Sequence, residues 1–362
     1  MQTKKNIEKD TKPRAWWFNP QNDLALAAST PYYTAPKGAM ALARAGELLP
    51  IFLSDPDDCI ITGGVNARWL ADLSSKLNLN INLWNRDTRS YRPTPWGWSA
   101  AAVSHFIQLG FDASDCPDAE KINYWRELSG RRTVELLDKL IFPDSYCSRV
   151  VSQPDAIIEV LDSYGSVALK IPWSCSGRGV FFYDNAHREA AVKKASEIIS
   201  TYGYATVEPR LERPTEFGLL FDHTPGSTDF RGISRTLTSH NGKYLGNIVA
   251  PSDEHINAID TAIGTPGFCG SLIERTSKAV ESVLDNKYYG PIGLDFLISQ
   301  GDPYLAEHNL RFTMGFVADG VHKLTGSQGI LTVHQSNIPA AQDAIVLTQP
   351  GCDMRFEFRA DQ

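Results

Sequence analysis

The chain has 362 residues, 42% hydrophobic and 10% aromatic, enough to bury a large core and long enough for two or three packed units. Its net charge of -7 and pI near 5.6 exclude a general nucleic-acid or membrane-surface binder, because no basic excess is present to neutralise phosphate. A small-molecule or protein substrate is therefore expected.

The first fourteen residues, MQTKKNIEKDTKPR, are polar and read as a disordered tail without the apolar segment of a signal peptide or anchor. No later window approaches a membrane span. The six cysteines show no CxxC pair and no histidine at ligand spacing, so reduced thiols in a cytoplasmic protein are expected, without zinc or a disulfide framework.

AWWFNP, LLPIFL and CIITGG read as short buried strands, with a helix over GAMALARAGELL, an alternation that favours a parallel sheet covered by helices. Asn19, Asn22 and Asp23 cluster after the first strand. In open α/β sheets ligands sit at such strand ends, and an Asx-rich turn capping the next helix is the alternative. YRPTPWGWS reads as a rigid loop in which Trp96 and Trp98 either wall a cleft or fill the core, and Ser99 then caps a helix closed by Gly110.

Helices follow in PDAEKINYWREL and TVELLDKL, then strands in SVALKI and GVFFYD, a helix in REAAVKKASEIIS, and a strand in ATVEPRL. EFGLLFD, RGISRTLTS and YLGNIVA predict an antiparallel sheet. SLIERTSKAVESVLDN predicts an amphipathic helix, and IGLDFLI with PYLAEHNLRF completes the unit.

Lys170 ends an apolar strand, and an unpaired ammonium there is costly, so it must reach an anion. The loop that follows, SCSGRG, offers backbone N–H groups, two hydroxyls and the guanidinium of Arg178, which together can cover phosphates. It matches neither Walker A nor GxGxxG, and a hairpin tip with a snorkelling lysine is the alternative.

Farther on, alternation puts Glu307, Asn309 and Arg311 on one strand face, and Asp295 interrupts the apolar strand before it. A hairpin around SQGDP sets Asp295 against Glu307. Two carboxylates and an amide oxygen suit Mg²⁺ that also touches nucleotide phosphates, whereas a structural network with Arg311, Arg235 or Lys243 is the alternative. Glu208 and Glu216, flanking the link between the two strand-rich regions, are acceptors placed to meet the amino and ribose hydroxyl groups of a nucleotide.

Taken in order, Lys170 with SCSGRGV, VEPRL and TEF, then GLDF and EHNLR, resembles the ATP-grasp superfamily, which includes D-alanine ligases, glutathione synthetases and carbamoyl phosphate synthetase. The resemblance spans about residues 115 to 325 and is diffuse between the motifs. It implies an α/β amino-terminal domain with a pre-ATP-grasp-like parallel sheet, followed by an α+β two-lobed ATP-grasp domain. The implied divisions are a tail over 1–14, the amino-terminal domain over 15–112, linker helices and small lobe over 113–206, and a large lobe with the metal site over 207–362.

By the same resemblance Lys170 would contact the α/β-phosphates of ATP, and Ser174, Ser176, Gly177, Arg178 and Gly179 would close over the phosphate tail, with Ser174, Ser176 and Arg178 ordered only by nucleotide. Glu208, Arg210 and Leu211 would line the adenine and Glu216 the ribose. Asp295, Glu307 and Asn309 would hold Mg²⁺, with Arg311 near the transferred phosphoryl group. Arg132, or its neighbour Arg131, would stand where such families carry a lysine. The implied activity is an ADP-forming ligase that joins a small carboxylate, through an acyl phosphate, to an amine or to a peptide. An ATP-binding non-catalytic partner protein and a small-molecule kinase are the alternatives, and a homodimer is an open possibility.

Overall fold

A computed structural model of the chain describes residues 12–145, 147–174, 179–212, 214–239 and 244–361. Three sheets organise these described residues. In the first, β1 (Arg14–Trp17) lies between β2 (Cys59–Ile60) and β3 (Arg92–Pro95), all parallel. Around it stand α1 (Asn22–Ala28), α2 (Lys37–Ala45), α3 (Ala67–Leu77) and α4 (Ala100–Gln108). Ser99 caps α4 as expected, its hydroxyl accepting from Ala102 N at 3.3 Å.

Two local expectations fail here for one reason, the missing proline donor. LLPIFL is a 3₁₀ turn over Leu49–Phe52 with Pro50 in its first positions, not a strand. YRPTP, expected as a loop, is β3. The N–H groups of Arg92 and Trp96 donate to Pro13 and Trp17 at 2.9 and 2.8 Å, so the alternating Pro93 and Pro95 face the open edge, where no donor is needed.

After α5 (Ala119–Ser129) and α6 (Arg132–Ile141) comes a four-stranded antiparallel sheet. Its order is β4 (Arg149–Val151), β7 (Ala205–Pro209), β5 (Ser166–Lys170), β6 (Val180–Asp184). Val167, Leu169, Ala205 and Val207 pack against α7 (Ile157–Tyr164) and α8 (Arg188–Tyr202) to form its core.

The third sheet has eight antiparallel strands. They are β8 (Thr215–Thr224), β9 (Ser227–Thr238), β10 (Tyr244–Val249), β11 (Gly290–Ser299), β12 (Asp302–Asn309), β13 (Gly329–Gln335), β14 (Ile345–Val346) and β15 (Met354–Ala360). Phe217, Leu219, Leu294 and Phe296 on one face pack with α5, α6, α9 (Ser252–Ile263) and α10 (Phe268–Leu284). The other side joins α11 (Met314–Thr325) and β15 to the amino-terminal helices in a single core. A Cβ on Gly320 would lie 2.1 Å from the Phe52 carbonyl oxygen, so α11 reaches the 3₁₀ turn only as glycine. The segment after Phe312, for which the sequence reading offers no elements, supplies α11 and β13 to β15. Among the described residues no helix is long and apolar enough to cross a membrane.

Candidate functional site

The site begins at the β11–β12 hairpin. Gln300 and Gly301 both adopt positive φ (56° and 89°) between the paired Ser299 and Asp302, the backbone of a tight two-residue turn. This register sets Asp295 opposite Glu307, as the alternation predicts. Between Asp295 and Phe296 the register shifts, inserting Ala306 as a bulge. Leu305 therefore enters the core while Glu307, two residues on, turns to the opposite face with Asp295.

On the neighbouring strand Gly218 stands opposite Asp295, and a Cβ there would lie 3.1 Å from the Asp295 carboxylate. Glu216, two residues earlier, shares that face. Burial, with the charges of Glu216 and Glu307 nearby, holds Asp295 well above the usual carboxylate range, and burial beside Glu307 pushes Glu216 up to about 7. Asn309 Nδ2 donates to Asp295 Oδ2 at 2.9 Å. The face thus gathers three carboxyl groups, of which the raised ones hold their protons until a cation offsets the charge. Among the described residues no three His, Cys, Asp or Glu side chains converge to hold a metal by themselves. The donors fit an ion that takes one or two carboxylates and completes its shell from water and phosphate, as Mg²⁺ does.

Lys170 reaches this hairpin from the four-stranded sheet. Its Nζ donates to Glu208 Oε2 at 2.5 Å and to the Ala306 carbonyl at 3.1 Å, the carbonyl of the bulged residue. Ser148 Oγ donates to the other oxygen of Glu208 at 3.3 Å. The anion that buried Lys170 requires is thus Glu208.

Arg131 closes the cluster. Its Nη1 donates to the Ile171 carbonyl at 2.9 Å and to Ser174 Oγ at 2.8 Å, and its Nη2 to Glu307 Oε1 at 2.9 Å. Arg132, one of the two arginines expected at this position, is not brought in; it is exposed and stacks over Tyr204 at 4.5 Å. Helical phase explains the difference. Arg131, Val134, Asp138 and Ile141 fall on one buried stripe of α6, whereas Arg132, Leu136 and Leu140 form the wet one.

The loop after Lys170 begins as a fixed stem. Ser174 is 4% exposed, and its hydroxyl accepts from Arg131 Nη1. Trp173 Nε1 donates to the Arg126 carbonyl at 2.9 Å while the Arg126 guanidinium lies 3.9 Å over its ring. Gly179 ends the loop at φ 74°, where a Cβ would strike Ile171 at 2.5 Å. Ser176, Gly177 and Arg178 lie outside the described residues.

Arg311 turns toward the amino-terminal domain. Its Nη2 donates to Asp23 Oδ2 at 2.6 Å and its Nε to both Asp23 oxygens at 3.1 Å. Asn19 and Asn22 instead tie the β1–α1 turn to the tryptophan loop. Asn19 Nδ2 donates to the Gly97 carbonyl at 2.8 Å, and the Asn22 amide, turned nitrogen-first, donates there at 2.9 Å. Trp96 packs edge-on to Phe18 and Trp98 lies against Phe106, so both fill the core. Of the nucleotide-base candidates, Arg210 is exposed with its guanidinium 4.9 Å over Phe182, and Leu211 lies just past β7. Sequence reasoning misses the partnership of Asp23 with Arg311, the Ala306 carbonyl and Ser148; only the polarity after β1 signals the first.

No protein-family model matches the sequence, and no curated protein matches it. Solved structures do. Biotin carboxylase from Campylobacter jejuni, in a βγ-ATP complex, is similar over 97% of this chain and 88% of its own, with a TM-score of 0.54 at 14% identity. N5-carboxyaminoimidazole synthetase from Staphylococcus aureus, complexed with ADP, is similar over 97% of this chain and 93% of its own, with a TM-score of 0.51 at 12% identity. The present chain shares their fold: an α/β amino-terminal domain with a parallel sheet followed by an α+β two-lobed domain.

Proposed function

We propose that the chain is an ATP- and Mg²⁺-dependent, ADP-forming ligase that activates a carboxylate as an acyl phosphate for attack by an amine or a similar nucleophile. The observation that carries this reading is the meeting of two sheets. Lys170 of the four-stranded sheet lies against the Ala306 carbonyl in the same hairpin that presents Asp295, Glu307 and Asn309. Cations from one lobe and an excess of carboxylates from the other are what a metal-nucleotide complex needs.

In this reading Lys170 and Arg131 bind and orient the phosphate chain, and the pairs they make with Glu208 and Glu307 keep them in place beforehand. Glu208, Arg210, Leu211 and Glu216 line the nucleoside end. Ser174 and Gly179 stand at the two ends of the segment that this reading assigns to the phosphate tail. Asp295, Glu307 and Asn309 would hold Mg²⁺, which supplies charge stabilisation to the shifting phosphoryl group. A substrate carboxylate oxygen bonds to the γ-phosphorus as the bond to ADP breaks. The amine nitrogen then bonds to the acyl carbon, phosphate leaves, and the nitrogen gives up its proton. Arg311, steered by Asp23, stands beside the γ-phosphoryl position.

The proposed division is an amino-terminal domain over 15–112, linker helices with the small lobe from 113, and the large lobe to 362. We move the small-lobe end from 206 to after Pro209, because β7 pairs only within the four-stranded sheet. Cys59, Cys116, Cys147, Cys269 and Cys352 are free thiols, which supports a cytoplasmic protein.

The test is incubation with Mg-ATP and a library of carboxylates and amines, following ADP and phosphate. Equal release of both, only when carboxylate and amine are present together, is the expected result. ADP with a stable phosphorylated product and no phosphate would make the protein a kinase. No ATP binding by calorimetry would overturn the reading.

A further inference from the structure

A second recess lies outside the charged cleft. It lies on the other side of α1, over the carboxyl end of β1, and encloses about 350 Å³. By volume this is room for about a dozen waters, and it falls at the small end of ligand sites. Gln21, Asn22 and Ala25 line it, whereas Asp23 and Leu26, on the other side of the same helix, line the cleft that holds Arg131, Glu307 and Asn309. Helix α1 is the partition.

The chemistry of the wall is distinctive. No Asp, Glu, Lys or Arg side chain lines the cavity among the described residues. Aromatic surface comes from Trp17, Tyr32, Tyr33 and His105, and hydrogen-bonding capacity from Gln21 and Ser104. His105 stacks on Trp17 with centroids 3.9 Å apart. Burial lowers its imidazole to about 4, so it adds no charge at neutral pH. A ligand bearing a formal charge would be desolvated here with no counter-charge to meet it.

Tyr32 adds a second observation. It stands at this wall between Pro31 and Pro36, yet is 85% exposed. An aromatic ring held in water by a proline-bracketed loop, at the edge of an aromatic recess, offers apolar area that a bound ring would cover.

We infer that this cavity is a second ligand site, separate from the cleft across α1, for an uncharged aromatic ring carrying amide-type donors and acceptors, one or two rings in size. The inference does not depend on the ligase reading, since binding is measured without turnover and without nucleotide.

The experiment titrates the full chain with three isosteric probes, benzamide, benzoate and benzylammonium, followed by saturation-transfer NMR and calorimetry. Benzamide should bind at millimolar concentration, and the two charged probes at least about tenfold more weakly, a difference of about 1.4 kcal/mol. Saturating ADP should leave benzamide binding unchanged. Ala101→Phe, which fills the cavity from α4, should remove benzamide binding while circular dichroism stays native; Ser104→Trp is the second variant should the first fail to fold. Benzoate binding as tightly as benzamide, no benzamide binding, displacement by ADP, or binding that survives the folded filling variant would each overturn the site.

Discussion

Helix α1 separates two recesses built on opposite principles. On one side Asp23, Arg131 and Glu307 line a cleft of only about 10 Å³, where Arg131 meets Glu307 and Asp23 pairs with Arg311 beside it. On the other side a wall without charged side chains encloses about 350 Å³. Charged groups without a ligand find one another and draw their recess closed, because a lone buried charge is far more costly than a pair. Neutral groups have no such pull, and their recess stays open. A ligand entering the first must exchange internal ion pairs for its own, whereas a ligand entering the second displaces only water.

The largest expected effect tests the charged side directly. Glu307→Gln keeps volume but removes one carboxylate from the Asp295 face and the partner of Arg131. Turnover, measured as ADP release, should fall by about a thousandfold or more, while the thermal midpoint stays within a few degrees. Full activity in that variant would remove the Mg²⁺ assignment. It would also leave the closed cleft without a function.

Next comes Asp138, which lies behind Glu208 on the same side. It is 2% exposed and accepts from the backbone of Cys147 and Ser148 at 2.8 and 2.9 Å. Burial raises it from 3.8 to about 6. Because its folded value lies above its unfolded one, the folded chain binds more protons between those values, and stability falls as pH rises through that window. Asp138→Asn removes the titration and retains an acceptor oxygen. Relative to the parent, the variant should therefore gain about 2 kcal/mol between pH 4.5 and 7, read from urea unfolding at each pH. A constant difference across the window would show that this buried carboxyl does not titrate as its surroundings dictate.

What the sequence makes legible follows the same division. An ammonium ending an apolar strand and a carboxylate inside another are conspicuous because each is costly alone, and both lead to the meeting of Lys170, Glu208 and the β11–β12 hairpin. The hairpin register follows from alternation and a turn that needs positive φ. The choice between Arg131 and Arg132 was legible too, in the buried stripe of α6, but only through helical phase. The bulge at Ala306 leaves no mark in composition. The open cavity leaves none either, since Gln21, Ser104 and His105 share no period or spacing and are assembled by packing of α1 against α4. The segment after Phe312 escaped because its short strands find their pairing partners far away in the chain.

A smaller effect bears on the ion pair that joins the two domains. Asp23 and Arg311 have side chains 15% and 14% exposed, partly wet, so the pair is worth less than a fully buried one. Asp23→Asn should lower unfolding free energy by about 2 kcal/mol in urea titrations and weaken the dependence on salt. It should leave benzamide binding across α1 unchanged. Loss of that binding would mean that the two recesses are one coupled unit, and the contrast between them would have to be redrawn.

The smallest effect comes from the neutral side, where Ser99 both lines the cavity and caps α4. Ser99→Ala removes the hydroxyl that accepts from Ala102 N, which should cost about 1 kcal/mol of stability. Ser99 also lies within 3.2 Å of the turned Asn22 amide, so the same change loosens one of three acceptors on that nitrogen. If the neutral recess stays open because nothing charged draws it shut, this loss should register in urea unfolding alone. Adenosine triphosphate affinity, set across α1 by ion pairs that Ser99 does not touch, should hold constant. A parallel loss of nucleotide affinity would show that the cap of α4 helps place α1, making the partition itself part of the charged site.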